Sequence, residues 1–193
     1  MNLKNKLELE NIELDTKAIE QLEEFALLLN QWNKIHNLTG AKDISTIYDN
    51  IIDSLYPTTF ITKPSSLLDV GTGAGFPGMA LGIVYAQSSI VLCEPLNKRA
   101  AFLKFVATQL GLTNISVAKM RVESLTHAPF DMISSRAVTD TKLLLDITKH
   151  LSDTDTQYLF YKGGQVFDEI NSFDNQLNYD IVQRDKRNYL WIK

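Results

Sequence analysis

The chain has 193 residues, of which 45% are hydrophobic, 22% charged and 9% aromatic; this ordinary globular composition excludes disordered, collagen-like and low-complexity architectures. Nineteen basic and 23 acidic residues give a formal charge of −4, which on its face argues against nucleic acid as a partner. One cysteine, Cys93, excludes a disulfide framework and a multi-cysteine metal site, and no apolar run reaches the length of a membrane span.

The acidity is local: residues 1–30 hold seven acids and three bases, whereas residues 31–193 hold sixteen of each. At the N-terminus Glu8, Glu10, Glu13 and Asp15 alternate with single apolar residues, which is not a signal-peptide pattern. The expectation is a soluble cytoplasmic protein without a membrane partner. A short helix is predicted over Leu3–Leu9. In residues 15–33 the apolar positions Ile19, Leu22, Phe25, Ala26, Leu29 and Trp32 step by three and four along one helical face, with Asp15 placed as its N-cap. A further helix is expected from about Ile44 to Leu55. Residues 1–62 are therefore read as an N-terminal helical extension.

From Ser66 the rhythm changes. Short apolar runs at Ser66–Val70, Ser89–Cys93, Ile115–Ala118, Phe130–Ser134 and Thr156–Tyr161 predict strands, and helical patterns at 78–86, 97–110, 138–150 and 165–176 lie between and after them. Alternating strand and helix means βαβ units and a mostly parallel sheet with helices on both faces. Two last runs, Tyr179–Arg184 and Tyr189–Ile192, are separated by Asp185–Asn188. A link that short suits an antiparallel hairpin and cannot hold a crossover helix. Residues 63–193 are expected to form an α/β domain in one compact unit with the extension, because Lys63-Pro64-Ser65 is too short to separate them.

The first strand runs into Asp69-Val70-Gly71-Thr72-Gly73-Ala74-Gly75-Phe76-Pro77-Gly78, which places four glycines in eight residues. Glycine turns the chain where φ is positive and lets a ligand approach without a Cβ in the way. A ligand there is also expected to meet free N–H groups of the following helix. Two ligands fit the pattern. Gly73-x-Gly75-x-x-Gly78 matches the dinucleotide fingerprint, although Pro77 falls inside it and the turn starts earlier, at Gly71. The parse Asp69-x-Gly71-x-Gly73-x-Gly75 instead resembles the class I S-adenosylmethionine-dependent methyltransferases, whose loop wraps the amino-acid end of the cofactor. Glu94 ends the second strand 23 residues after Gly71, where an acid accepts the ribose hydroxyls of a nucleoside cofactor.

The resemblance narrows with further blocks. Trp32-Asn33-Lys34-Ile35-His36-Asn37-Leu38-Thr39, Asp53-Ser54-Leu55, the glycine block, Lys98-Arg99 with Phe102-Leu103, Arg121-Val122-Glu123, Ser135-Arg136-Ala137 and Lys162-Gly163 stand in an order and spacing similar to the RsmG family, also called GidB. The resemblance runs from about residue 15 to the C-terminus. It implies a Rossmann-like class I fold with an N-terminal helical extension. It further implies methyl transfer from S-adenosylmethionine to N7 of a guanine in the 530 loop of 16S ribosomal RNA, with the small ribosomal subunit as the setting. Carried over by position, Gly71, Phe76, Val122, Glu123 and Arg136 are the cofactor residues, joined by Gly73 and Glu94. Lys34, Asn37 and Arg136 are expected to meet RNA. The family often has a histidine where this chain has Asn50, a departure easier to reconcile with a hydrogen-bonding role than with acid–base chemistry.

Guanine N7 carries a lone pair and no proton, so positioning alone suffices and no catalytic acid–base pair is expected; Arg136 is the one catalytic candidate. Cys93 lies in an apolar run and reads as a small core residue rather than a nucleophile. His36, His127 and His150 lack zinc spacing, and no metal is expected. Glu123 can accept from an adenine amino group or stand solvated at a helix start. Arg136 can pair with the cofactor carboxylate or an RNA phosphate, or with Asp131 or Asp140. Phe76 can shape the pocket or fill the core, and Lys98, Arg99 and Lys104 read as a solvated helix face. Residues 31–142 hold ten bases and eight acids, which leaves room for a modest basic rim. Methylation of another RNA, a protein or a small molecule, a nicotinamide-dependent oxidoreductase, and an RNA-binding protein without cofactor are the competing readings.

Overall fold

Helix starts follow their capping chemistry. The computed structural model describes residues 1–136, 138–171, 173 and 177–193. Helix α1 spans Leu3–Leu9, α2 Thr16–His36 and α3 Ile44–Leu55. Asp15 caps α2 by accepting from the Ala18 amide at 2.7 Å, and Asp43 caps α3 by accepting from the Thr46 amide at 2.8 Å. Such caps satisfy amides that a first helical turn leaves without partners. The long helix runs one turn past its last apolar landmark and stops at Asn37, whose φ of 51° is a left-handed C-cap.

Strands β1 (Ser66–Val70), β2 (Ser89–Cys93), β3 (Ile115–Ala118), β4 (Met132–Arg136), β5 (Gln157–Lys162), β6 (Tyr179–Arg184) and β7 (Arg187–Ile192) form a sheet in the order β3-β2-β1-β4-β5-β7-β6. The pairings from β3 across to β5 are parallel, and β7 is antiparallel to both β5 and β6. Helices α4 (Gly78–Val84), α5 (Asn97–Gln109), α6 (Thr141–Thr148) and α7 (Val166–Asn171) follow β1, β2, β4 and β5. The helix expected over 165–176 is seen over its first half. Residues 172 and 174–176 fall outside the described residues, as does Ala137 of the Ser-Arg-Ala block. The fourth strand starts two residues later than its apolar run predicts. Phe130 is buried ahead of it, and the Asp131 carboxylate accepts the Ser65 and Ser66 amides instead of joining the ladder.

Successive strand residues feed two cores. Leu67, Ile90, Leu92, Leu159 and Tyr161 pack with α1–α5, whereas Leu68, Val91, Cys93, Ile133 and Phe160 pack beneath α6 and α7. A strand buried on both faces explains why these segments read as continuous apolar runs without alternation. The three N-terminal helices share the first core with α4 and α5; Trp32 packs at a tilt against Phe102 and Phe105 of α5 at centroid distances of 5.4 and 5.2 Å. Strand order reverses between β1 and β4, so their carboxyl ends open the crevice in which sheets of this kind take ligands.

Candidate active site

The loop after β1 needs its glycines. Gly71 and Gly73 have φ of +65° and +61°. A Cβ on Gly71 would stand 2.5 Å from Val138 Cγ2. The amides of Gly71 and Thr72 both bond the Cys93 carbonyl, at 2.9 and 3.3 Å, which ties the loop to the end of β2. Glu94 holds it from the same side. Its Oε2 accepts from the Gly73 amide and its Oε1 from the Leu96 amide, each at 2.9 Å.

Below the loop Asp69 is fully buried. It accepts from the Gly78 amide and from the Ser134 hydroxyl, both at 2.8 Å. Burial pushes its carboxyl up to about 6, against the opposing pull of these hydrogen bonds. The expectation that a ligand meets free amides at the start of α4 is corrected here. Pro77 has no N–H, Gly78 donates to Asp69, and Met79 donates to the Gly75 carbonyl at 2.9 Å. The acid of the motif thus occupies the helix start itself.

Two cavities meet over this loop. The larger, about 540 Å³, is lined by Leu38, Thr39, Gly40, the Gly71–Ala74 loop, Phe76, Glu94, Pro95, Leu96, Arg99, Arg136 and Val138. The smaller, about 270 Å³, lies between Val70, Cys93, Met120, Val122, Glu123, Leu143 and Ile147, and shares Gly71, Pro95 and Val138 with the first. Together they form one cleft with a polar end, which carries the charges of Glu94, Arg99 and Arg136 beside apolar surface, and an apolar end. Gly71, Gly73, Phe76, Glu94 and Arg136 therefore come together at the polar end, and Val122 and Glu123 at the apolar end. Glu123 is exposed, whereas Val122 is buried.

The wall formed by Leu38–Gly40 escaped the sequence reading. Asn33 builds it: its Nδ2 donates to the Ala41 carbonyl at 2.9 Å and its Oδ1 accepts from the Thr39 amide at 2.8 Å. The Trp-Asn-Lys…Asn-Leu-Thr block is thereby a packing residue, a loop clamp, a helix cap and a cleft wall. Lys34 is exposed on the last turn of α2 and Asn37 is its cap. Neither lines the cleft.

Arg136 pairs with neither Asp131 nor Asp140. Asp131 is engaged by Ser65 and Ser66, and Asp140 caps α6 through the Leu143 amide at 2.9 Å. The Arg136 Nη1 instead donates to Asp53 Oδ2 at 3.1 Å and to Asn50 Oδ1 at 3.0 Å. Its guanidinium carbon lies 4.9 Å from the Phe76 ring centre, a cation–π distance. Phe76 is 3% exposed and packs on Phe25 at 5.4 Å, so it fills the core and lines the cleft at once. Asn50 keeps its place through Nδ2, which donates to the Thr46 carbonyl at 2.9 Å. Its role here is to accept a hydrogen bond.

The Cys93 thiol is buried and donates to the Met120 carbonyl at 3.3 Å; burial, with Glu94 next, pushes it up to about 11. A neutral thiol in an apolar wall is a poor nucleophile. His36 lies against Trp32, His127 stacks on Phe130, and His150 contacts the Leu125 carbonyl through Nε2. Among the described residues no three His, Cys, Asp or Glu side chains group as a metal site, and no described helix is long and apolar enough to cross a membrane.

The model of the GidB family, described as rRNA small subunit methyltransferase G, matches residues 18–189. The ribosomal RNA small subunit methyltransferase G of Aliarcobacter butzleri is 47% identical over 191 residues, covering 99% of this chain and 98% of its own. That of Wolinella succinogenes is 43% identical over 190 residues, covering 98% and 97%. Among solved structures, a methyltransferase from Geobacter sulfurreducens superposes with a TM-score of 0.65 at 12% identity, over 88% of either chain. An O-methyltransferase from Bacillus cereus, in complex with SAH, superposes with a TM-score of 0.62 at 14% identity, over 88% and 90%. At those identities the superpositions establish a shared methyltransferase fold.

Proposed function

This chain belongs to the GidB family of rRNA small subunit methyltransferases, and on that premise we propose that it transfers a methyl group from S-adenosylmethionine to N7 of a guanine in the 530 loop of 16S rRNA, in the cytoplasm. The observation that carries the reading is the two-ended cleft at the carboxyl ends of β1 and β4. Its donor set fits the cofactor. Glu94 offers carboxylate oxygens to a ribose diol, Val122 and its apolar neighbours fit an adenine face, and Glu123 stands beside that slot. Gly71 and Gly73 let the amino-acid end approach the backbone, and Arg136 supplies a cation for its carboxylate.

Bound there, the cofactor supplies an electrophilic methyl on sulfur, and the acceptor nitrogen carries a lone pair with no proton to remove. The residues around the cleft therefore have no proton to move. They hold the two reactants in line and keep water out, and such positioning is worth up to about 7–11 kcal/mol in favourable cases. This suits the inert Cys93 thiol and the structural engagement of Asp69 and Asn50. The exposed Lys34 and Asn37, outside the cleft, and Arg136, within it, are proposed to meet RNA.

The test is transfer of labelled methyl from S-adenosylmethionine to 30S subunits that lack the modification, with the product mapped by nucleotide. Label at guanine N7 in the 530 loop is the expected result. Label at another rRNA position corrects the site, and no transfer to small-subunit RNA or particles overturns the reading.

A further inference from the structure

A guanidinium at the end of a strand sits on a long, rotatable stem, and at the mouth of a cleft it is ordinarily solvated. Arg136 is held instead. Its side chain is 15% exposed, pinned by Asp53 and Asn50 and laid over Phe76. Both of its hydrogen bonds run through Nη1; Nε and Nη2 make none among the described residues. Asp53 comes from α3 in the helical extension and is itself anchored on its far side. Its Oδ1 accepts from Arg187 Nε at 2.9 Å and from the Tyr189 hydroxyl at 3.0 Å, both on β7. Asp53 lines neither cavity.

We propose that Asp53 is a positioning residue for methyl transfer: it sets Arg136 against Phe76 so that the unused N–H groups of the guanidinium receive the carboxylate of the methyl donor. The inference rests on the reading of the cleft as the S-adenosylmethionine site. Two physical effects support it. An arginine already ordered loses little further rotamer freedom when its ligand arrives. A carboxylate shared between two guanidiniums neutralises neither fully, so Arg136 keeps its attraction for a second anion. The extension and β7 thereby act on the cleft through one side chain.

Asp53→Asn keeps the shape and removes the charge. Calorimetric titration of the full chain with S-adenosylmethionine is expected to show about tenfold weaker binding, the scale of coupling inside one hydrogen-bonded network. In an Arg136→Ala background the same substitution is expected to change affinity by less than about twofold, since its effect passes through Arg136. Equal losses in both backgrounds overturn the proposal, because a merely structural role would weaken binding regardless of Arg136. An effect confined to the KM for 30S subunits, with donor affinity intact, overturns it as well. If Asp53→Asn does not fold, Arg187→Gln decides. It removes the second guanidinium from Asp53, leaving only the Tyr189 hydroxyl on the far oxygen, and is expected to weaken donor binding in the same direction; unchanged affinity overturns the proposal. A wild-type chain that fails to bind S-adenosylmethionine overturns the reading of the cleft itself, which separates that failure from this one.

Discussion

A methyl group added at Gly71 meets Val138 in a backbone conformation that side chains rarely adopt, whereas one added at Gly73 has only the Gly71 carbonyl nearby, at 3.9 Å. Gly73→Ala is therefore expected to cost the fold about 1–2 kcal/mol of backbone strain without a clash. Gly71→Ala is expected to cost more, because Val138 must also move and with it the roof shared by both cavities. Denaturant unfolding with and without S-adenosylmethionine separates fold from binding: Gly71→Ala should be the less stable without cofactor, and both variants should lose much of the cofactor's stabilisation, because both glycines line the cleft. Asn50 yields a second comparison. Asn50→His retains an acceptor for Arg136 and is expected to keep methyl transfer near wild type. Asn50→Leu removes the acceptor and is expected to lose about 1–3 kcal/mol of stability. Equal activity and stability in both variants would remove Asn50 from the network. The glycines, Glu94 and Arg136 were legible because each lies within one local motif. Asp53 was quoted in a motif, yet its role was hidden: its partners Arg136 and Arg187 stand 83 and 134 residues away in the chain.

The junction of β1 and α4 buries a carboxyl at an electrostatic cost. Asp69 has its carboxyl raised by burial to about 6, above the ordinary 3.8. A raised carboxyl binds its proton more tightly when folded, so the contribution is fully present below about pH 4 and is lost as pH rises through about 6. Relative to Asp69→Asn, the wild type is expected to lose on the order of 2–3 kcal/mol of stability across that window. Urea unfolding of both chains at pH 4, 5, 6 and 7 checks this, and parallel curves would refute it. Element boundaries show where sequence reading stops. Apolar pattern located each described strand, but it set β4 two residues early, since Phe130 is buried without pairing and Arg136 pairs with Tyr161 despite its charge, and it set β7 two residues late, since the polar Arg187 and Asn188 pair with Arg184 and Gln183. Caps were better markers: Asp15 opened α2 as its position predicted. The start of α4 misled, because the acid that satisfies its amide lies nine residues earlier, on β1.

Across the whole molecule, α1–α3 contribute to the same core as α4 and α5. We propose that the extension and the α/β part fold as one unit, with a single unfolding transition seen alike by far-UV circular dichroism and tryptophan fluorescence. A fragment of residues 63–193 is expected to expose the α2–α3 face and to remain soluble only poorly; a folded, soluble fragment would count against the proposal. The charge that first argued against RNA is largely accounted for in the acidic segment, where Glu10 already engages Arg184. We propose that only a small basic rim around the cleft meets RNA, which predicts a shallow dependence of RNA affinity on salt, with few counterions released. A steep slope on naked RNA equal to that on 30S subunits would refute it. Finally, the chain's one thiol lies in the wall of the apolar slot, neutral and 1% exposed. Maleimide or disulfide reagents are therefore expected to label Cys93 slowly. Cofactor seated in the slot should slow that labelling further, in proportion to its occupancy, so the native thiol reports on the site without an engineered probe.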